Sequence, residues 1–343
     1  MVLIILPALR SGGTEWQLLD LLENSTSADS IILWIYDRDY EDKIFFRYSK
    51  IKNVNIIFGK SFSNFIFIIK SRPRVIISYA INYYIPEIIV RIISKAALIT
   101  ERRNSYHWFK VEKRKSIQEY LRNWMTDVII CNSSEVQRLV IQVERNVSSK
   151  TTVIYNSVFI TNQISDTIIP VFNYVVTATN IKKGKGVERV FRAFISSSIR
   201  NKEHVFNVFG RLDDPSVFGD FDKDHVGLFY KGLQSKDKIY RYGSILVHLS
   251  ESEGFPNAVL EALAAGMLVI ISDIPVHREI FSGHAEFVSS NECASLYIDK
   301  LIDMAASSKE NYINLCQANI KFAENFSQAG RADKYWKLIN ELA

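Results

Sequence analysis

Short β-branched apolar runs alternate with longer segments of helical periodicity along almost the whole chain. In the first half the predicted strands are Val2–Leu6, Ile31–Tyr36, Val54–Phe58, Val75–Ser78, Ala97–Thr100 and Asp127–Cys131, and helical patterns include Glu15–Glu23, Pro86–Lys95 and Ser133–Val143. In the second half the predicted strands are Tyr174–Ala178, Val205–Phe209, Gly227–Tyr230, Ile245–Leu249, Leu268–Ser272 and Glu286–Val288. This alternation predicts parallel sheets covered by helices on both faces.

A chain of 343 residues has room for two such α/β units. The segment Asn156–Pro170 is polar and ends in a proline, and we interpret it as an interdomain linker. We therefore expect an N-terminal Rossmann-like domain over residues 1–160 and a C-terminal one over residues 161–325. A last helical pattern covers residues 326–343, with Tyr335, Trp336 and Leu338 as apolar anchors.

Composition indicates a folded protein, because 48% of the residues are hydrophobic and 23% are charged. The three cysteines have neither the number of a disulfide framework nor the spacing of a zinc site, so a reducing compartment is expected. The apolar run Val2–Leu6 lacks the basic leader and the length of a signal peptide. Val75–Thr100 is broken by charged residues, so it is not predicted to span a bilayer. These features favour a cytoplasmic protein.

Charge is unevenly distributed. Residues 1–160 hold 22 Lys/Arg against 15 Asp/Glu, whereas residues 161–343 hold 20 against 22. Seven basic residues are concentrated in one segment with only two acids: Arg102, Arg103, Lys110, Lys113, Arg114, Lys115 and Arg122. Aromatic residues lie among and after them: Tyr106, Trp108, Phe109, Tyr120 and Trp124. Such a segment suits an anionic membrane surface. A solvated helix with its aromatics in the core is the alternative, and no recognisable nucleic-acid module accompanies the segment.

The most informative segment follows the predicted strand Ile245–Leu249. Pro256 suits the first turn of a helix and Gly266 suits its left-handed cap, so the helix would begin at the carboxyl edge of the sheet. Free N–H groups and the helix dipole favour a phosphate or a sugar hydroxyl there. Glu253 lies in the preceding loop, and Glu261 lies about 7.5 Å along the helix from Pro256. Two carboxylates at that separation could accept hydrogen bonds from hydroxyls at the two ends of a nucleotide-sugar. The alternative is an ordinary strand–helix connection with two surface glutamates.

Glu253 and Glu261 form an E-x7-E pair within E-G-F-P-N…E-A-L-A-A-G, which resembles the signature of retaining glycosyltransferases of family 4. Further segments that resemble the family in the same order are Gly12-Gly13-Thr14-Glu15, Lys185-Gly186 with Phe191 and Ala193-Phe194, Val208-Phe209-Gly210, Lys231-Gly232, His248-Leu249-Ser250, and Leu268–Asp273 leading to Glu279. The resemblance covers essentially the whole chain. It implies a GT-B fold, in which two Rossmann-like domains face each other across a cleft and the C-terminal helix crosses back to the first domain.

The resemblance also implies roles for residues of the donor site. Glu261 would accept hydrogen bonds from the ribose hydroxyls and Glu253 from the donor sugar. Lys185 would neutralise the departing diphosphate, so Glu253 and Lys185 are the expected catalytic residues. Backbone N–H groups of one segment would position the donor sugar. That segment is Gly254, Phe255, Pro256 and Asn257.

Three further expectations come from the same resemblance. The Gly12-Gly13 turn would let the first domain approach the diphosphate closely. Gly232 and Leu233 would line the base. No metal ion and no cofactor is expected, because the nucleotide-sugar is a substrate.

Asn180 departs from the family pattern. The family reads G-R-x-x-x-x-K where this chain has Thr179-Asn180 before Lys185, so the arginine of the donor site is replaced by an uncharged residue. A second cation would have to come from Lys182, Lys183 or Arg211, and Asn180 and Arg211 are both kept as donor-site candidates.

A second departure concerns the first domain, where many relatives have a histidine after one of the later strands. This chain has Thr100-Glu101-Arg102-Arg103-Asn104 there, and His107 follows slightly later. We assign Arg102, Arg103 and His107 to the acceptor or membrane side.

The function expected from the resemblance is retaining transfer of a hexose or N-acetylhexosamine from a nucleotide-sugar, with UDP favoured, to a saccharide acceptor. A polyprenyl-diphosphate-linked acceptor is expected, as in O-antigen, capsule or related polysaccharide synthesis, together with peripheral association with the anionic inner face of the cytoplasmic membrane and no nucleic-acid partner. The alternative from another class is a catalytically inactive glycosyltransferase-like partner that binds and stabilises an active enzyme.

Other enzymes fit the sequence less well. A 2-epimerase or a phosphorylase could share the fold, but no lysine context for pyridoxal phosphate is apparent. A Rossmann oxidoreductase is disfavoured because Leu9–Thr14 does not read G-x-G-x-x-G. A GT-A enzyme would need a metal-binding D-x-D; Asp37 and Asp39 have that spacing, but they lie in a charged loop.

Overall fold

The computed structural model of the chain describes residues 1–10, 12–79, 84–104, 116–160, 174–197, 205–218, 228–241 and 244–342. The chain divides into two compact units. Unit 1 comprises Met1–Ser157 and Gln328–Ala343, and unit 2 comprises Val158–Ser327. Each unit is built on one sheet whose strand pairs are all parallel, so the predicted fold class, two parallel-sheet Rossmann-like domains, is confirmed.

Unit 1 holds a seven-stranded sheet of order β3-β2-β1-β4-β5-β6-β7. Its strands are β1 (Val2–Leu6), β2 (Ile31–Ile35), β3 (Val54–Phe58), β4 (Val75–Ser78), β5 (Ala97–Arg102), β6 (Val128–Cys131) and β7 (Thr151–Val153). The helices between them are α1 (Gly13–Glu23), α2 (Asp42–Tyr48), α3 (Phe62–Lys70), α4 (Tyr84–Ser94), α5 (Ser116–Met125) and α6 (Ser134–Val143). The central strands are apolar and buried along their whole length, as expected where helices cover both faces.

Unit 2 holds a six-stranded sheet of order β10-β9-β8-β11-β12-β13. Its strands are β8 (Tyr174–Ala178), β9 (Val205–Phe209), β10 (Leu228–Gly232), β11 (Ile245–His248), β12 (Leu268–Ser272) and β13 (Glu286–Val288). Its helices are α7 (Val187–Ser196), α8 (Lys236–Arg241), α9 (Asn257–Ala264), α10 (Pro275–Phe281), α11 (Ser295–Ser307) and α12 (Lys309–Ala323). Strand order reverses beside β8, and ligands of open α/β sheets bind beyond the carboxyl ends of the strands at such a point.

The chain ends in helix α13 (Gln328–Glu341), which belongs to unit 1 and packs against α1. Its anchors Tyr335 and Trp336 are buried in the core of that unit. The Tyr335 hydroxyl donates to Glu101 Oε1 at 2.8 Å, so a polar contact also fixes α13 to β5. Of the predicted linker 156–170, residues 161–170 lie outside the described residues, and Asn156 is buried in unit 1.

Two arginines that the sequence placed on a basic surface are buried instead. Arg102 lies in β5 and pairs with the fully buried carboxylate of Glu144 at 2.7 Å. Arg122 lies in α5 and pairs with Glu87 of α4 at 2.6 Å, with side-chain exposures of 2% and 0%. The expected basic surface is therefore wrong for these two residues, because each cation is neutralised by an acid from outside the basic segment.

Residues 105–115 lie outside the described residues. No helix in the described part of the chain is long and apolar enough to cross a membrane.

Loss of the Arg122 guanidinium should destabilise the protein strongly. We expect Arg122→Met to lower the free energy of unfolding by about 3–5 kcal/mol, because the Glu87 carboxylate would remain buried without its partner. Urea-induced unfolding followed by far-UV circular dichroism measures this change.

Arg138→Met is the matched control. Arg138 pairs with Glu135 on α6 at 2.7 Å, but its side chain is 53% exposed, so the same substitution should cost at most about 1 kcal/mol. Equal losses in the two variants would contradict the assignment of Arg122 to a buried pair. Adding Glu87→Gln to Arg122→Met should recover part of the loss, because it removes the unpaired charge.

Candidate functional site

The candidate site lies at the carboxyl edge of the unit 2 sheet. Strand β11 ends at His248, and the loop that follows carries Glu253 before α9 begins at Asn257. Since all the strand pairs are parallel, the residues that follow β8, β9 and β10 lie at this same edge. The edge therefore collects the residues that the sequence assigned to donor binding in unit 2.

Gly186 determines how closely α7 approaches β11. Its φ is 65°, and a Cβ at this position would overlap the carbonyl oxygen of Leu249. Only glycine satisfies both conditions without strain. In the same turn, the backbone N–H of Glu251 donates to Gly184 O at 2.9 Å. This contact between two backbones places Lys185, the residue before Gly186, beside the loop that carries Glu253.

The Glu253 carboxylate receives two donors on one oxygen. Lys185 Nζ lies 2.8 Å from Glu253 Oε1, and His248 Nε2 lies 3.1 Å from that same atom. Ser250 Oγ lies 3.0 Å from His248 Nε2. The Glu253 side chain is only 12% exposed, so the contacts with Lys185 and His248 replace most of its hydration.

These contacts keep Glu253 ionised. Burial alone would raise its pKa, but the hydrogen bond from His248 and the charge of Lys185 outweigh burial and hold the pKa well below the ordinary value of 4.5. Glu253 is therefore an acceptor of hydrogen bonds at neutral pH, with no proton to donate.

Glu261, on α9, also has two partners. Lys236 Nζ lies 2.7 Å from Glu261 Oε1, and the Tyr240 hydroxyl donates to Glu261 Oε2 at 2.8 Å. Lys236 and Tyr240 are one turn apart on α8, so they present the same face. Burial, and then the negative charge of Glu261, raise the pKa of Tyr240 well above its ordinary value, so the phenol stays protonated and donates.

The loop before α9 differs from the prediction in one detail. Pro256 is the N-cap residue and not part of the first turn, while Gly266 has the expected left-handed φ of 77° just beyond the helix. Gly254, Phe255 and Pro256 are all buried, and the Phe255 ring packs on Phe326 with centroids 6.1 Å apart. Pro256 has no N–H, and the N–H of Asn257 donates to Phe255 O at 3.0 Å. Neither Pro256 nor Asn257 thus offers a free backbone N–H to a ligand.

The remaining candidates of unit 2 lie further along the edge. Asn180 follows β8 and is exposed. Arg211 follows β9, and its Nε donates to Asp213 at 2.6 Å; that hydrogen bond lowers the pKa of Asp213. The guanidinium of Arg211 is thus held by a carboxylate in this state. Gly232 ends β10 with a φ of 65°, and Leu233 after it is exposed.

Gly12 and Gly13 belong to unit 1 and are described within that unit. Gly13 is the first residue of α1, and Gly12 is its N-cap with a φ of −101°, which other residues also adopt. A Cβ at Gly12 would overlap the Glu15 carboxylate. Burial raises the pKa of Glu15, more than the backbone hydrogen bond to this carboxyl lowers it. An acidic side chain thus already lies over the turn that the resemblance assigned to a diphosphate.

The residues assigned to the acceptor side do not form one exposed group. Arg102 is buried on Glu144, and Arg103 Nη1 pairs with Glu101 at 2.7 Å. Arg103 Nη2 also donates to Asn156 Oδ1 at 2.7 Å. His107 lies outside the described residues. Arg102 therefore acts within the packing of unit 1, because β5 continues through residues 101 and 102 into the core.

The D-x-D carboxylates of unit 1 are engaged by cations. Asp37 Oδ1 lies 3.1 Å from Lys60 Nζ, and Asp39 pairs with Arg10. Across the described ranges, no group of three or more His, Cys, Asp or Glu side chains is placed to hold a metal ion.

Three residues of the site were not predicted from sequence: His248, Lys236 and Tyr240. The spacing of four between Lys236 and Tyr240 indicates a shared helix face, but nothing local indicates that this face meets Glu261. His248 ends an apolar strand five residues before Glu253, which is the one signal that was available.

Replacing Gly186 should disturb the site. We expect Gly186→Ala to lower the free energy of unfolding by about 2–5 kcal/mol, because left-handed strain adds to overlap with the Leu249 carbonyl. Urea-induced unfolding measures the loss.

Gly283→Ala is the matched control, since Gly283 has a φ of 86° but no atom within 4 Å of an added Cβ. That variant should lose only the strain of about 1–2 kcal/mol. If both variants lost the same amount, the close approach of Gly186 to Leu249 would be refuted.

Comparisons with known proteins show which family and folds the chain resembles. Residues 165–326 match the family model of Glycosyl transferases group 1. The GtfA subunit of the UDP-N-acetylglucosamine–peptide N-acetylglucosaminyltransferase of Streptococcus pneumoniae serotype 4 is 23% identical over 178 residues. That match covers 49% of this chain, and the chain spans only about a third (35%) of that relative's length.

Solved structures share the fold over the whole chain. Anabaena HepE in complex with UDP and glucose has a TM-score of 0.80 at 12% identity, with 99% of each chain covered. The lipopolysaccharide outer core galactosyltransferase WaaB, in its apo form, has a TM-score of 0.68 at 14% identity, with 100% of this chain and 99% of that chain covered. At these identities the likeness shows the fold. Residues 165–326 therefore match the Glycosyl transferases group 1 family model, and the chain has the two-domain GT-B fold of these solved structures.

Proposed function

We propose that the protein is a retaining glycosyltransferase of family 4 that moves a hexose or N-acetylhexosamine from a nucleotide-sugar to a saccharide acceptor. The observation that carries the proposal is the pair of carboxylates, Glu253 and Glu261, each held by a lysine at the carboxyl edge of the unit 2 sheet. A nucleotide-sugar carries hydroxyls at both ends and a diphosphate between them. Its binding site therefore needs hydrogen-bond acceptors at two separate points and a cation between them.

Glu261 is proposed to bind the ribose. Its two oxygens are occupied by Lys236 and Tyr240, and both of these donors sit on the short helix α8. A ribose has two adjacent hydroxyls that can replace these donors without leaving either oxygen unsatisfied. Glu253 is proposed to accept from a hydroxyl of the donor sugar through the oxygen that Lys185 and His248 do not use.

Lys185 is proposed to move from Glu253 to the diphosphate when the donor binds. A diphosphate carries more negative charge than one carboxylate, so it competes well for the ammonium. The same charge stabilises the diphosphate as the bond to the sugar breaks, when its charge increases. The reaction of family 4 keeps the anomeric configuration, so an α-donor is expected to give an α-linked product.

UDP is the favoured nucleotide. The HepE structures contain UDP with glucose or UDP-glucose, and the pneumococcal O-GlcNAc transferase GtfA was solved with UDP and GlcNAc. Gly232 and Leu233 are proposed to line the base, because Gly232 ends β10 at the same edge and Leu233, the next residue, is exposed.

The acceptor is proposed to be lipid-linked and presented at an anionic membrane, as in synthesis of O-antigen, capsule or related cell-surface polysaccharide. Three neighbouring helices of unit 1 carry exposed large apolar side chains: Phe62 and Phe67 on α3, Ile92 and Ile93 on α4, and Tyr120, Leu121 and Trp124 on α5. Exposed cations, Lys70, Arg72 and Lys95, lie at or just beyond the ends of α3 and α4. Apolar side chains beside cations suit an anionic bilayer surface. Peripheral membrane association of a cytoplasmic protein follows.

An inactive partner protein is the second candidate. Asn180 provides no cation, and Arg211 is engaged by Asp213, so Lys185 is the cation that supports turnover. A structure of the pneumococcal GtfA/B complex also shares the fold, with a TM-score of 0.61. Turnover of any nucleotide-sugar by the isolated protein would exclude this candidate.

The two glutamates should affect different measurements. We expect Glu253→Gln to lower kcat about 100–1,000-fold, because the Glu253 carboxylate would stabilise the charge that develops in the transition state. Glu261→Gln should instead weaken UDP binding by roughly 10–100-fold, because a charged acceptor is lost. Release of UDP from a panel of UDP-sugars gives kcat, and calorimetry with UDP gives Kd.

Glu286→Gln is the control, since Glu286 pairs with Lys300 on the surface of unit 2 and should leave both quantities unchanged. If both glutamate variants weakened UDP binding equally and left kcat intact, these roles would be wrong. If the wild type bound UDP but turned over no donor, the inactive partner would be supported.

Membrane binding should depend on the exposed apolar side chains of α4 and α5. We expect the double variant Ile92→Ser and Trp124→Ser to partition at least about 10-fold more weakly into vesicles containing phosphatidylglycerol, because it loses two side chains that would be buried in lipid. Co-sedimentation with vesicles measures the partition coefficient.

Leu296→Ser on α11 is the control, because Leu296 is as exposed as these residues but belongs to unit 2. Equal binding of wild type and double variant, or equal binding to vesicles of phosphatidylcholine alone, would refute the membrane proposal.

A further inference from the structure

Two histidines lie buried beside Glu253. His248 ends β11, and His277 lies on α10, with ring centroids 6.0 Å apart. Each ring has one nitrogen in a hydrogen bond. The other nitrogen, Nδ1 of His248 and Nε2 of His277, is buried and has no partner among the described residues. Leaving a buried polar atom unpaired costs about 1–3 kcal/mol, so two such atoms in one place indicate a function.

The contacts define which nitrogen of His248 carries a proton. Its Nε2 lies 3.1 Å from Glu253 Oε1, and an ionised carboxylate can only accept. The Nε2 atom must therefore be protonated. In the neutral ring Nδ1 is then the basic nitrogen, and it is the atom without a partner.

His277 has the opposite tautomer. Its Nδ1 lies 2.7 Å from the carbonyl oxygen of Ser272, so Nδ1 carries the proton and Nε2 holds the free lone pair. Burial, and then repulsion from the His248 ring when that ring is charged, lower the pKa of His277 to about 4. His277 is thus neutral at physiological pH, and its Nε2 can accept a hydrogen bond.

The charges around the two rings balance only while Lys185 is present. Lys185 neutralises Glu253, and both act electrostatically on His277. Asp273, which also acts electrostatically on His277, is matched by Arg278 at 2.6 Å. If Lys185 leaves, the carboxylate of Glu253 remains largely buried with His248 as its remaining side-chain donor. Such an unmatched charge is strongly unfavourable.

We propose that His248 is a positioning residue that takes up a proton from solvent at Nδ1 when Lys185 is drawn from Glu253 to an anionic diphosphate. Protonated His248 keeps Glu253 ionised and in place from Nε2. Its new Nδ1–H belongs to a ring whose centroid lies 6.0 Å from that of His277, the ring whose Nε2 holds a lone pair. Binding of the diphosphate is thereby coupled to uptake of one proton. The diphosphate itself rests on the proposed function; the response of His248 to the loss of Lys185 does not.

The first test uses the ligand-free protein. The chain has six histidines, so ¹⁵N-histidine spectra resolve tautomer and protonation of each ring, with His248→Gln and His277→Gln for assignment. In wild type at pH 7 we expect mainly the Nε2–H form of His248 and the Nδ1–H form of His277. In Lys185→Met the doubly protonated form of His248 should become the major one.

Lys183→Met is the matched control, because Lys183 is an exposed lysine of the same turn. It should leave the His248 spectrum unchanged. An unchanged His284 signal and an unchanged far-UV circular dichroism spectrum in Lys185→Met establish that the fold is intact. A His248 ring that stays neutral in that folded variant, or that carries its proton on Nδ1 in wild type, would overturn the proposal.

The second test adds UDP to the wild type. Calorimetry in PIPES and in Tris at one pH gives the protons taken up, which should approach about one per UDP and fall to near zero in His248→Gln. If Lys185→Met protonates His248 but UDP does not bind, the nucleotide assignment fails and the role of His248 stands. If UDP binds without proton uptake, the coupling is refuted.

Discussion

The backbone of Gly186 lies directly against the carbonyl oxygen of Leu249, and this contact brings the start of α7 to the end of β11. A side chain at residue 186 would separate the two elements, since its Cβ would have to occupy the space of that oxygen. Lys185 precedes the contact in the chain, and Glu253 follows it in the next loop. The ion pair at the centre of the site is thus a consequence of a close approach between two backbones, and the side chains only complete it.

The ion pairs of the two units differ in how easily they can be exchanged. In unit 1, Arg122 with Glu87 and Arg102 with Glu144 are almost fully buried, so separating either pair leaves an unmatched charge in the core. In unit 2, Lys236 is half exposed on Glu261, where a pair contributes at most about 1 kcal/mol. A ligand can replace such a lysine at small cost. Buried pairs therefore hold the fold of unit 1, and a more accessible pair occupies the position in unit 2 that we propose for the ribose.

Sequence alone predicts the strands of both sheets because buried parallel strands require continuous β-branched runs. It misses β7, whose three residues, Thr151–Val153, are too few and too polar to show that pattern. It also misplaces the two arginines, because counting charge within a segment ignores partners that are distant in sequence. Glu144 is 42 residues from Arg102, and Glu87 is 35 residues from Arg122. The pairing depends on which strands and helices are neighbours, which local patterns do not contain.

The residues that we propose for the donor side could be recognised as a motif, but the ion pairs and hydrogen bonds that they form could not. A histidine at the end of an apolar strand is more often structural, and His248 differs only because its Nε2 shares one oxygen of Glu253 with Lys185. A lysine keeps its charge through the neutral range, whereas a histidine gains or loses one there. Because Lys185 and His248 both bind Glu253 Oε1, Lys185 can move to a ligand while the His248 ring stays in place. The carboxylate can then stay charged and fixed in both states, because the donor that titrates is the one that does not move.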